Sequence, residues 1–108
     1  MSINAKKALQ AELYHALKGA WVQCSLDVPC NTGAEKFTLD VALHTDSFIF
    51  GWIDVSDLPT PGRTELIAKK YGMEQFHCSS MSDVKACVKW AKEIQERYVR
   101  SQVVMKVA

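Results

Sequence analysis

Phe37-Thr38-Leu39-Asp40-Val41-Ala42-Leu43-His44-Thr45-Asp46-Ser47-Phe48-Ile49-Phe50-Gly51-Trp52-Ile53-Asp54-Val55 is the stretch whose pattern decides the fold. Its first half alternates Phe37, Leu39, Val41 and Leu43 with Thr38, Asp40, Ala42 and His44, the period of two that a strand requires. Thr45-Asp46-Ser47 is turn chemistry, and the run from Phe48 to Val55 is apolar on both faces, as in a central strand covered on each side. Two strands so joined form a hairpin. A three-residue loop pairs His44 with Phe48, Ala42 with Phe50 and Asp40 with Trp52. Asp54 then becomes a diagonal neighbour of Asp40, about 7–8 Å away on the same face. Carboxylates that close can share a divalent cation. A two-residue loop shifts the register by one and sends them to opposite faces.

Working outward, Leu9, Leu13, Ala16, Leu17 and Ala20 recur at helical spacing. They predict a helix over residues 4–18, with Ser2 or Asn4 as its cap and Gly19 at its stop. Residues 21–26 read as a strand, and Pro29-Cys30-Asn31-Thr32-Gly33 as a turn. Beyond Val55, residues 57–62 hold two prolines and a glycine and read as a loop. A short helix over 63–71 and a strand over 73–78 follow. Ser80 or Ser82 then caps a long helix striped by Val84, Cys87, Val88, Ala91, Ile94 and Tyr98. The tail, residues 99–108, is apolar without a decisive period and is expected to contact a protein partner or a second copy of the chain. The predicted architecture is one α/β domain over residues 1–108. Its order is α-β-β-β-α-β-α, with a single mixed sheet and helices on both faces.

The chain has 108 residues with 13 Lys and Arg against 12 Asp and Glu, a net charge of +1. That balance excludes a strongly basic coat for nucleic acid and a disordered acidic tail. It is uneven, however: residues 1–54 carry 4 basic and 6 acidic side chains, and residues 55–108 carry 9 and 6. On the long helix Lys85, Lys89, Lys92 and Arg100 fall within a sector of roughly 80°, the pattern of a face that tracks phosphates. Arg63, after Pro61-Gly62, is placed to meet a phosphate at a helix start. No run approaches the ~18 apolar residues of a membrane span, and the opening residues lack the unbroken apolar core of a secretion signal. A cytoplasmic chain is expected, with Cys24, Cys30, Cys78 and Cys87 as reduced thiols. Their spacing, with His77, is not that of a zinc finger or ribbon. A Cys–His nucleophile would require Cys78 to meet His44 or His15. Trp21 and Trp52 are expected in the core and Trp90 on the surface. No glycine-rich phosphate loop is present.

The order helix, three strands, helix, strand, with an Asp on the second strand and an acidic residue ending the third, resembles the restriction-endonuclease-like PD-(D/E)XK superfamily. It is most similar to its small very-short-patch-repair-like, nuclease-like domains. Leu39-Asp40-Val41-Ala42-Leu43 matches the second strand, and Trp52-Ile53-Asp54-Val55-Ser56-Asp57 matches the third in part. The likeness spans about residues 5–98. It implies an endonuclease that hydrolyses phosphodiesters with Mg²⁺ or Mn²⁺ held by Asp40 and Asp54, with Glu12 of the first helix as a further carboxylate. Nucleic acid would meet Arg63, Lys85, Lys89 and Lys92. Ser56 stands where the catalytic lysine belongs. Lys36, Lys69 and Lys70 are the residues available to replace it, Lys69 and Lys70 foremost because the second helix carries them. The alternatives are an inactive nuclease-like fold kept as a DNA- or protein-binding module, and a small homo-oligomeric interaction protein.

Overall fold

A computed structural model describes residues 1–31, 33, 36–58 and 72–107, the side chains of Phe37 and of 99–107 excepted. Ser2, in extended backbone, accepts the Ala5 N–H on its hydroxyl at 3.1 Å, so helix α1 begins immediately and runs Ile3–Gly19. Leu9, Leu13 and Leu17, one turn apart, are buried, and so is Gln10. The chain leaves α1 through Trp21 in the left-handed region, φ +65, and this turn puts the indole 88% in solvent. The expectation of a core Trp21 is thus overturned, and strand β1 starts later than the apolar run implies, at Cys24–Asn31.

Pro29 and Cys30, read above as turn residues, belong to this strand. The sheet order β1-β2-β3-β4 makes β1 an edge strand with one neighbour, the part of a sheet in which a proline is tolerated. The turn itself begins at Asn31, whose Oδ1 accepts the Gly33 N–H at 2.8 Å. Strands β2 (Lys36–His44), β3 (Ile49–Val55) and β4 (Glu74–Cys78) follow. β1, β2 and β3 form an antiparallel meander, and β4 lies parallel to β3. Parallel neighbours need a crossover of a dozen or more residues, and the chain between Val55 and Glu74 has that length. The predicted loop at 57–62 and short helix over 63–71 fall mainly or wholly outside the described residues.

The β2–β3 hairpin differs from the expected register by two residues. His44 faces Ile49, which leaves four residues in the loop, and a β-bulge then brings Leu43 opposite Gly51 and Val41 opposite Ile53. The bulge turns Phe50 as well as Gly51 toward the long helix, where Phe50 meets Tyr98 at 5.3 Å between ring centroids.

That helix, α2, spans Val84–Val107 and absorbs the tail that the sequence left without a period. A 3₁₀ turn, Met81–Asp83, leads into it. Asp83 accepts the Ser79 and Ser80 N–H groups, bonds that hold its carboxyl below the usual carboxylate range. The two described helices touch each other and cover the sheet face that carries Val41, Leu43, Ile53 and Val55. Trp90 is not a free surface aromatic, because its ring stacks on Phe76 at 5.2 Å.

A second, smaller cluster holds the cross-strand pair Ala42 and Trp52 with Cys30, Leu39 and Met73. Trp52 is in the core as expected, but among the described residues its indole N–H is buried without a partner, as is the side-chain amide nitrogen of Gln75, its neighbour on β4. An unmet buried donor costs about 1–3 kcal/mol. Trp52→Phe removes it and is expected to change stability by less than about 1 kcal/mol, whereas Trp52→Ala costs about 3–5 kcal/mol. Urea unfolding of both variants checks this, and a Phe variant as damaged as the Ala one would contradict it.

Candidate active site

Pairing of Val41 with Ile53 places Asp40 and Asp54 at the next position of the ladder, side by side and on one face. Both are buried, at 6% and 5% exposure. Each is held by groups around it. The Val55 N–H donates to Asp40 Oδ2 at 2.8 Å, and Lys6 Nζ of α1 lies 2.9 Å from Asp40 Oδ1. Ser56 Oγ, 3.2 Å from Asp54 Oδ2, can donate to that oxygen or to the Leu58 carbonyl at 2.9 Å. His77, paired with Asp54 across β3 and β4, donates from Nε2 to the Ser56 carbonyl at 2.8 Å.

The carboxyls do converge. Burial pushes Asp54 above the usual carboxylate range; the neighbouring Asp40 charge adds to this and a hydrogen bond between the two carboxyls adds less, while Ser56 and His77 pull the other way. No family model, curated protein or solved structure matches the chain significantly. The chemistry of the site therefore rests on its own residues.

Gln10 secures α1 against the pair from beneath. Its amide nitrogen donates to the Asp40 carbonyl and to Asp27 Oδ1, each at 2.9 Å. Asp27 stands opposite Asp40 on β1 in the left-handed region, φ +53, a conformation that Asp tolerates better than most residues. Lys6, Gln10, Leu13 and Leu17 form one continuous helix face, and its first two members reach the aspartate pair. Sequence reasoning missed both. The signal was a Lys and a Gln continuing the apolar stripe toward the N-terminus. It also missed His77, which only the parallel pairing of β4 brings beside Asp54.

Glu12 does not join the site. It sits on the exposed side of α1, and among the described residues no three His, Cys, Asp or Glu side chains gather around a common point. The lysine stripe of α2 is in solvent at Lys85, Lys89 and Lys92. Arg63, Lys69 and Lys70 lie outside the described residues. Cys78 meets neither His44 nor His15: His44 bonds Ser25 Oγ and the Thr45 carbonyl, and His15 packs edge-on against Tyr14. Cys78 instead lies against Cys87, and burial raises both thiols, so neither is a ready nucleophile. No helix among the described residues is long and apolar enough to cross a membrane.

Proposed function

We propose that the chain acts on nucleic acid as a divalent-metal-dependent phosphodiester hydrolase of the restriction-endonuclease-like kind. The observation that carries this reading is the side-by-side burial of the Asp40 and Asp54 carboxyls. Two acidic groups forced together and dried repel each other unless a proton or a cation lies between them. The described order of helix, three antiparallel strands, a fourth strand and a long helix agrees with the resemblance outside residues 59–71.

The donor set suits Mg²⁺ or Mn²⁺, which take oxygen ligands and, with only one or two carboxylates, keep the rest of their shell for water and substrate phosphate. Such an ion supplies Lewis-acid stabilisation of phosphoryl oxygens and a more acidic water. The protein does the holding. The Val55 N–H fixes one oxygen of Asp40, Ser56 Oγ orients Asp54, and Gln10 ties the helix to the strand that carries Asp40. Exposed Lys85, Lys89 and Lys92, at i, i+4 and i+7, offer a positive edge along which a phosphate backbone can run.

Incubation of the chain with supercoiled plasmid DNA and Mg²⁺ or Mn²⁺ tests the reading. Nicking is expected that chelator stops and that Asp40→Ala and Asp54→Ala each abolish. Equal cleavage by both variants would end it. Salt-sensitive DNA binding without cleavage, weakened by Lys85, Lys89 and Lys92 substitutions, would identify a binding module instead.

A further inference from the structure

Every hydrolase that attacks a phosphodiester must stabilise charge building on the phosphoryl oxygens, and the residue two places after Asp54 is a serine with no charge to contribute. Its one hydroxyl hydrogen is, moreover, given to Asp54 or to the Leu58 carbonyl. Among the described residues, the ammonium paired with either site carboxylate is that of Lys6. We infer that Lys6, from the first turns of α1, is the basic residue that serves this site. The inference rests on the hydrolase reading above.

Three observations carry it. Lys6 Nζ lies 2.9 Å from Asp40 Oδ1, yet its side chain is 40% exposed while that of Asp40 is 8% exposed, so the ammonium sits at the boundary between the buried pair and solvent. Asp40 Oδ2 is taken by the Val55 N–H, so a cation that reached Asp40 would have to share or displace Lys6 at Oδ1. Finally, the backbone of Lys6 is placed with care: one turn on, Gln10 is bonded to the Asp40 carbonyl and to Asp27, and Leu13 and Leu17 beyond it are fully buried. A charge presented from so fixed a helix needs little reorganisation to act.

Charge counting gives the role. Two carboxylates and one divalent cation are neutral together, so they offer no net attraction to an anionic phosphodiester and less to the more anionic transition state. Lys6 tips the site to net positive. Its flexible four-carbon stem allows the ammonium to leave Asp40 Oδ1 and hydrogen-bond a phosphate oxygen a few ångströms further out. The same ammonium lies beside Asp40, where a cation would have to come. Lys6 therefore competes for Asp40 before catalysis and assists afterwards. A residue that merely propped up the fold would do neither.

The test pairs two measurements on the whole chain, Mn²⁺ affinity read from the paramagnetic resonance of free Mn²⁺ and Mn²⁺-dependent cleavage of plasmid DNA. Lys6→Met is expected to cut cleavage at least about a hundredfold, the scale on which loss of one donor to a developing oxyanion acts. Its Mn²⁺ affinity should stay the same or tighten a few-fold, and Lys6→Arg should recover part of the rate. Cleavage by Lys6→Met within a few-fold of the parent would overturn the inference. So would loss of Mn²⁺ binding together with cleavage, which would reduce Lys6 to a support for Asp40. A parent chain that cuts nothing, with or without bound Mn²⁺, overturns the hydrolase reading and this inference with it. A parent that binds and cuts beside an equally active Lys6→Met overturns only the role of Lys6.

Discussion

Asp54→Asn is expected to make the folded chain more stable near neutral pH and to erase its response to divalent cations. Burial and the charge of Asp40 raise the proton affinity of Asp54 in the folded state, against the weaker opposing pull of Ser56 and His77. The unfolded chain lets the same proton go near the ordinary Asp value of about 3.9. Between that value and the raised one, the folded state holds a proton that the unfolded state has lost, so stability falls as pH rises through this window. Below the ordinary value Asp54 exacts no such penalty; above the raised one the penalty is complete. Asparagine, of the same shape and without charge, removes it. The advantage of the variant should thus be largest at neutral pH and shrink on acidification toward about pH 4.

A divalent cation bound as proposed should reverse the ranking. Mn²⁺ at about a hundred times its dissociation constant should stabilise the parent by about 2.7 kcal/mol and leave Asp54→Asn unmoved. Urea unfolding of both chains at the two pH values, with and without Mn²⁺, reads all of this. A variant less stable than its parent at neutral pH would mean that Asp54 is a structural anchor. More stable yet unresponsive is the behaviour of a residue kept for its chemistry at a cost to the fold.

The second large effect belongs to the core. Gly51→Val should cost about 3 kcal/mol, the upper end of what overpacking does, and lower Tm by at least about 10 °C. A Cβ at position 51 would lie 2.8 Å from Ile94 Cδ1, 3.3 Å from the Glu74 carbonyl oxygen and 3.4 Å from Trp90 Cη2. Ile94 has no solvent to swing into, and Trp90 is stacked on Phe76. Helix α2 would have to lift from β3, whereas Gly51→Ala asks for a smaller shift and should fall between valine and the parent. Thermal melts of the three chains give the order; a valine variant that melts with the parent would show that α2 yields freely.

How much of this was legible in the sequence turns on one hairpin. The alternation from Phe37 to Leu43 and the doubly apolar run after it were enough to predict adjacent strands, with Asp40 and Asp54 on one face only if the loop held three residues. The route to that answer was different. The loop is one residue longer than predicted, which alone would have sent Asp54 to the far face, and the bulge at Phe50 adds one more, which brings it back. Side-chain periodicity survives an even shift and cannot see one, so the face came out as the three-residue loop gave it while the pairing was two residues out.

Tertiary partners were less visible. Trp21 looked buried because it opens an apolar run, but a single left-handed residue redirected it. Lys6 and Gln10 lie outside the apolar spacing by which the first helix was read. Their part depends on where α1 crosses β2, and only the folded chain fixes that crossing.

Strand β1 has a further consequence, for how copies of the chain meet. Its outer rim is the natural place for a foreign strand to add, and Asp27 spoils it as a template, because it breaks the extended backbone and carries a carboxylate. A newly made or partly opened chain is thereby guarded against growing into a continuous sheet with its neighbours along this rim.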